Sequence, residues 1–212
     1  MKLKYLLCMA ALVAGSLAQA QELTSGTHYR PISPAQPTVA QAGKIEVTEF
    51  FQYSCPACYS AEPHIAAWIA AGPPEHIEVV RVHVAWNPQA RLHAQAFYTA
   101  EALGKSEEMH RAFFDEIHRN GNALDTEGKL AEFFGRFDVT REQFDAAFKS
   151  FSVHTNVQRA DDRTRRNRVA ATPTFVVHGK YVTEGPMATS YENWFENLEK
   201  LAALEHGTSA SN

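Results

Sequence analysis

Two cysteines carry the chemistry that this sequence offers. Cys55 and Cys58 lie in Phe50-Phe51-Gln52-Tyr53-Ser54-Cys55-Pro56-Ala57-Cys58, an apolar strand end that runs into a helix start. Thiols two residues apart can close on each other, exchange with another protein's disulfide, supply half of a metal site, or staple a small loop. With Cys55 as the N-cap, Pro56 takes the first helical position, which suits proline. The Cys55 sulfur then faces the free N–H groups and the positive end of the helix dipole. Thiolate is favoured there, so Cys55 is expected to be more acidic than a free thiol. Cys58 falls one turn further in, on the same side, and is expected to be more buried. Cys55 would attack and be attacked, and Cys58 would resolve the mixed disulfide. A stabilised Cys55 thiolate also stabilises the dithiol form, which makes the disulfide a stronger oxidant.

The metal and staple readings are weaker. Beyond residue 20 the chain has no second cysteine pair and no His-x-His spacing of the finger type, whereas zinc normally takes three or four protein ligands. His64 follows Cys58 by six residues, and a lone histidine on a helix is more often a surface or packing residue. No metal is expected. A Cys55–Cys58 bridge closes a very small loop, where the entropic gain is least.

The elements around the pair follow from periodicity. Lys44 to Phe51 alternates, with Ile45, Val47, Glu49 and Phe51 on one face and Lys44, Glu46 and Thr48 on the other. Glu49 is the one charge on that apolar face, and it costs free energy there unless neutralised or paired. Pro56 to about Ala71 reads as a helix kinked at Pro63 and stopped by Gly72-Pro73-Pro74. Ile77 to Val84 reads as a strand buried on both faces. From Asn87 to Val169 only helical patterns occur, with apolar stripes at Leu92/Ala96/Ala100/Leu103, Met109/Phe113/Ile117, Leu130/Phe133/Phe134/Phe137 and Phe144/Phe148/Phe151. A further helix is expected from Val153 to Arg168, and Thr140 with Gln143 forms a capping box. The strand pattern then resumes at Ala171 to Val177, turns at His178-Gly179 and returns over Lys180 to Glu184. Ser190 caps a last helix from Tyr191 to about Leu204. An edge strand is expected near Tyr29 to Ile32.

The chain opens with Lys2 and Lys4, an apolar run from Leu6 to Leu17, and Ala18-Gln19-Ala20. That is the pattern of a cleaved secretory leader. Its removal takes away two lysines and no acid, so the formal charge falls two units below −4. A moderately acidic exported protein is unsuited to nucleic acid. No later stretch is long and apolar enough to cross a membrane.

A strand feeding Cys-Pro-x-Cys at a helix start, with Thr172-Pro173 far downstream at the start of another strand, resembles the thioredoxin superfamily. Within it, the chain is similar to periplasmic thiol:disulfide interchange proteins of the DsbA family. The resemblance runs through Glu49-Phe50-Phe51, Cys55 to Cys58, His83-Val84, the helical stretch, Thr172-Pro173 and Gly179-Lys180-Tyr181. It implies an α/β thioredoxin fold with an inserted all-helical domain. The expected division is a leader over 1–20, a first thioredoxin-like part over 21–86, the helical insertion over 87–169, a second part over 170–205 and a flexible tail over 206–212. It implies a redox-active Cys55–Cys58 disulfide and a cis Thr172–Pro173 bond packed against it, with the neighbouring backbone pairing with substrate. It further implies that Glu49 moves protons beneath the cysteines, with Arg81 in the place of its basic partner. No cofactor is implied. The partners implied are reduced, unfolded secreted proteins and a quinone-linked membrane oxidase of the DsbB type. A monomer is expected, in the periplasm.

One departure stands out. Family members often carry Pro-His between the cysteines, and this chain has Pro-Ala. Ala57 offers no charge or side-chain hydrogen bond to the Cys55 thiolate, so a weaker oxidant is expected. Other readings of the chain are an isomerase or reductase of the same superfamily, and a binding module with a structural Cys55–Cys58 bridge. Isomerases often carry an N-terminal dimerisation domain, and the two dozen or so residues between leader and first clear strand are too few for one. Arg163, Arg165, Arg166 and Arg168 read as a solvated helix end beside Asp161 and Asp162. Trp86 reads equally as core or as the border of a groove.

Overall fold

A computed structural model describes residues 22–209. The expected leader lies outside the described residues. Five strands form one mixed sheet in the order β1-β5-β4-β2-β3, from β1 (Arg30–Pro31), β2 (Ile45–Phe51), β3 (Ile77–His83), β4 (Thr174–Val177) and β5 (Tyr181–Glu184). β2 runs parallel to β3 and antiparallel to β4. The α1 helix (Pro56–Ala71) supplies the right of passage between β2 and β3, as a parallel pair requires. Five helices separate β3 from β4: α2 (Pro88–Ala102), α3 (Ser106–His118), α4 (Glu127–Gly135), α5 (Arg141–Phe148) and α6 (Phe151–Arg166). The last helix, α7 (Tyr191–Ser209), closes the order. This is the thioredoxin-like fold expected, with helices inserted between its two halves.

Each sheet face has its own core. On one, Ile45, Val47, Phe175 and Val177 pack against Ile65 and Trp68 of α1 and Trp194, Leu198 and Leu201 of α7. On the other, Phe50, Val82 and Val176 join a cluster that runs on through Phe97, Phe113, Phe114, Phe133 and Phe144. The inserted helices therefore share a core with the sheet. Capping side chains set the ends of these elements, at Cys55 and Thr140 as the pattern indicated and at three further positions. Cys55, Asn87, Thr126, Thr140 and Ser150 each accept a backbone N–H at a helix start, and Thr140 with Gln143 completes the capping box. Gly72, at φ 77°, ends α1. The β4–β5 turn uses His178 and Gly179, at φ 48° and 65°. A Cβ on Gly179 would fall 2.1 Å from the Gln36 carbonyl oxygen, so the lead-in segment can cross the hairpin only over a glycine.

All seven residues of β2 are buried, the polar stripe of Glu46 and Thr48 included. The strand is covered on both sides, and α6 supplies the partners that make this tolerable. Three expectations are corrected. β3, expected to be buried on both faces, is an edge strand and only partly covered in its middle. Phe151 does not continue the Phe144/Phe148 stripe. It sits at the first position of α6, after the chain has turned at Ser150, and is 87% exposed. Finally, α7 runs past Leu204 to Ser209, so residues 206–209 of the expected flexible tail are helical. Buried Glu205, which accepts from the Tyr181 hydroxyl and pairs with Lys180, anchors that extra turn.

Candidate redox site

The site begins with a loop held from below. Phe51 ends β2, and its carbonyl accepts the Val84 N–H at 2.9 Å. The register sets Phe51 opposite His83. The Nε2 of His83 accepts the Tyr53 N–H at 3.0 Å, and its Nδ1–H donates to the Val84 carbonyl at 2.8 Å. Burial pushes the His83 pKa well down, so the ring is neutral and both nitrogens have fixed roles. From the other side the Nε2–H of His118 donates to the Tyr53 carbonyl at 2.8 Å, and Tyr59 stacks on His118 at 4.6 Å. Tyr53 stacks on Phe113 at 4.0 Å. Thus β3 and α3 clamp the turn that delivers Cys55.

Cys55 is the N-cap of α1, with extended dihedrals of −83° and 118°, and Pro56 follows at the first helical position. Its Sγ accepts the Cys58 N–H at 3.4 Å. Both thiols are free. Cys55 is partly exposed and Cys58 is 1% exposed. Hydrogen bonding from the Cys58 thiol brings the Cys55 pKa down to about 5, against the opposing cost of partial burial, with help from Thr172 and the N–H groups of Cys58 and Ala57. Burial pushes Cys58 strongly the other way, and the neighbouring Cys55 sulfur adds to that. The expected asymmetry between the thiols is therefore present in their surroundings. Ala57 is exposed, and its side chain adds nothing to the sulfur.

Thr172 and Pro173 lie across from the pair. Their peptide bond is cis. The Cys55 thiol lies 3.3 Å from the Thr172 carbonyl oxygen, to which it donates when protonated. The Thr174 hydroxyl braces the loop from inside by donating to the Ala171 carbonyl at 2.8 Å.

Glu49, on β2, is 1% exposed. The register sets it opposite Arg81, whose Nε donates to Glu49 Oε2 at 3.0 Å. Arg81 also reaches Glu62 Oε1 at 3.3 Å. Burial raises the Glu49 pKa to about 7, against the pull of Arg81 and with the push of Glu62. The sequence reading had Glu49 and Arg81 and missed what surrounds them. Glu62 follows Cys58 by one helical turn on the buried face of α1. His110 lies 3.3 Å from Glu62 on one side and 3.0 Å from the Tyr53 hydroxyl on the other. The spacing Cys58/Glu62 was a readable signal. His110 and His118 come from α3, and nothing local in the sequence ties that helix to this loop.

This geometry has close parallels. The family model for the DSBA-like thioredoxin domain matches residues 46–199. The thiol:disulfide interchange protein DsbA of Azotobacter vinelandii is 34% identical over 211 residues, covering 93% of this chain and 98% of its own. The Burkholderia cepacia protein of the same name is 38% identical over 191 residues, covering 89% of each. Among solved structures, Pseudomonas aeruginosa DsbA superimposes with a TM-score of 0.82 at 31% identity, over 89% of this chain and 97% of that one. The chain belongs to the DSBA-like thioredoxin family.

Proposed function

We infer that this protein is a thiol:disulfide oxidoreductase that introduces disulfide bonds into other proteins. The observation that carries the reading is the opposite tuning of two thiols in one helical turn, with Cys55 acidic and reachable and Cys58 buried and held protonated. From the disulfide form, a client thiolate attacks the exposed Cys55 sulfur. The Cys55–Cys58 bond breaks, and Cys58 leaves with the electron pair and takes up a proton. A second client thiolate then attacks the client sulfur of the mixed disulfide and expels Cys55 as a thiolate. Two electrons pass to the protein, one client disulfide forms, and one of the two client protons ends on Cys58. Cys55 is the favoured leaving group because its thiolate is stabilised. Cys58, kept as a thiol, is slow to strike back. The client's own second thiol, more than Cys58, is thus what resolves the intermediate in the oxidising direction.

Glu49 fits the role of proton holder for the Cys58 step, since a buried acid near pKa 7 can give or take a proton at neutral pH. Thr172 and Pro173 border the sulfur under attack, where a client strand would pair with their backbone. Trp86 is 44% exposed just past β3, at the same end of the parallel β2–β3 pair as Cys55, and offers an apolar surface for an unfolded chain. The clients are newly exported proteins and the setting is the periplasm, reached by cleavage of the leader. A quinone-linked membrane protein of the DsbB type restores the disulfide. The protein acts as a monomer and needs no cofactor. Among the described residues no helix is long and apolar enough to cross a membrane.

The test is to mix the oxidised protein with an equal amount of a reduced two-cysteine peptide near pH 7. Peptide disulfide should appear one for one with protein dithiol, and Cys55→Ser should be inert. A one-cysteine peptide, which has no second thiol to complete the exchange, should stop at the mixed disulfide through Cys55. A peptide left reduced would overturn the oxidase reading in favour of a reductase.

A further inference from the structure

Glu49 and Glu62 divide one guanidinium. Arg81 donates from Nε to Glu49 Oε2 at 3.0 Å and from a terminal nitrogen to Glu62 Oε1 at 3.3 Å. Both carboxyls are buried. Two buried carboxylates on one cation are not both fully compensated, so one of them is the better place for a proton. A third group decides which.

That group is His110 on α3. Its Nε2 lies 3.3 Å from Glu62 Oε2, and neither atom has another hydrogen-bond partner among the described residues. Its Nδ1 lies 3.0 Å from the Tyr53 hydroxyl. Buried polar atoms are rarely left unpaired, and a carboxylate can only accept. The tautomer that satisfies all four atoms has Nε2–H donating to Glu62 and Nδ1 accepting from the Tyr53 O–H. Burial keeps the ring neutral at pH 7, against the pull of Glu62, and keeps the Tyr53 hydroxyl protonated. Burial also opposes the charge on Glu62, but the hydrogen bond from His110, with the charges of Arg81 and Arg111, outweighs it and lowers the Glu62 pKa. Glu49 has Arg81 alone. The other titratable groups around the network are Glu107 of α3 and His83 of β3, which interact with His110, and Glu101 of α2, which interacts with Tyr53. None of these three makes a hydrogen bond to Glu49 or Glu62 among the described residues.

We propose that His110 is a positioning residue for proton exchange at the cysteines: by donating to Glu62 it fixes Glu62 as the anion of the pair and leaves Glu49 as the carboxyl that carries the proton. This rests on the reading of Glu49 as proton holder. When Cys58 leaves the disulfide with its electron pair, Glu49 gives its proton to that sulfur and becomes a carboxylate on Arg81. A proton from water then restores it. Without His110 the order reverses. Glu62, with no donor of its own, takes the proton, and Glu49 is left with the whole of Arg81.

The test follows the carboxyl itself. The reduced, mature full-length chain, carbon-13 labelled at its glutamate side chains, is titrated by NMR, and the Glu49 signal is assigned by its loss in Glu49→Gln. His110→Leu should lower the Glu49 midpoint by about one pH unit or more, and Glu62→Gln should lower it too. His110→Gln, which can still donate to Glu62, should return it toward the parent value. Nitrogen-15 NMR of the parent, which needs no variant to fold, should show the Nε2–H tautomer of His110 at neutral pH. An Nδ1–H tautomer, a midpoint that stays in place in His110→Leu or in Glu62→Gln, or a His110→Gln midpoint as low as that of His110→Leu would overturn the proposal. Peptide oxidation tests the underlying reading separately. If Glu49→Gln oxidises the peptide at the parent rate, Glu49 is not the proton holder, while the NMR titration still decides whether His110 sets its charge.

Discussion

Glu46 and Glu49 stand three residues apart on the same strand, each 1% exposed and each facing an arginine. Glu46 points toward α6. Its Oε1 accepts from Arg163 at 2.5 Å and the Thr48 hydroxyl at 2.6 Å, and its Oε2 accepts from the N–H groups of Val39 at 2.6 Å and Ala40 at 3.1 Å. Glu49 points toward α1. Arg81 is the one hydrogen-bond donor seen on it among the described residues, and Arg81 is shared with Glu62. A carboxylate with four donors serves as a structural tie. A carboxylate with half of one arginine is left near the balance point between its two protonation states. The same residue type, strand and burial thus give a four-bonded tie in one place and a titrating group in the other. The number of donors makes the difference.

Removing the arginine partner of Glu46 should have the largest effect. Arg163→Ala leaves Glu46 buried without its cation and should cost about 3–5 kcal/mol of stability, read as a lower urea midpoint. The Cys55 titration of the folded variant should not move. A variant as stable as the parent would show that the backbone N–H groups alone hold Glu46, and the contrast would lose its electrostatic basis.

Glu49→Gln should act in the opposite sense. The folded pKa of Glu49 is raised to about 7, so the stability this group provides is fully present below its unfolded value of roughly 4.3 and is lost as pH rises through 7. Above neutrality the variant should be more stable than the parent by on the order of 1–3 kcal/mol, and the dependence between about pH 4 and pH 7 should flatten. Peptide oxidation by the variant should slow several-fold near neutral pH. Parent and variant with parallel stability profiles would remove the titrating role from Glu49.

The cysteines repeat the contrast within one helical turn. The Cys55 pKa is lowered to about 5, so the stabilisation of the dithiol form is fully present above the free-thiol value of roughly 8.5 and is lost as pH falls through 5. The gap in melting temperature between reduced and oxidised protein should widen as pH rises across that window. Thiolate absorbance should titrate near the lower end of it. A gap that is flat with pH would mean that Cys55 is not the stabilised anion.

The smallest expected effect is at Ala57, which is exposed and has room to grow. Ala57→His should lower the Cys55 pKa further and make the disulfide more oxidising by roughly 30 mV, equivalent to about 1.4 kcal/mol. Equilibrium with a glutathione buffer measures it. An unchanged or less oxidising potential would show that helix-end and backbone donors already saturate the thiolate.

Local chemistry made much of this legible. Cys55, Pro56 and Cys58 announce an N-cap and its dipole, and the structure places the sulfur on the Cys58 N–H. Glu49 was visible as a charge that breaks the apolar face of β2. Its partner was visible only through the family resemblance, because the Glu49–Arg81 register is a property of strand pairing. The burial of Glu46 and Thr48 was not legible for a related reason. Alternation separates two faces of a strand, but it does not say whether a helix 115 residues away will cover the polar one. Arg163, read as part of a solvated helix end, reaches that face and makes its burial tolerable.

By itself, then, the sequence determined the pair of thiols, the helix start on which Cys55 sits, and the strand and helix order around them. Those depend on residues within a turn or two of each other. The tertiary structure decided how many donors each buried charge receives, which histidines clamp the Tyr53 loop, and which side of Cys55 Thr172 approaches. These depend on groups brought together from far apart in the chain, and burial turns each missing or supplied hydrogen bond into a shift in pKa.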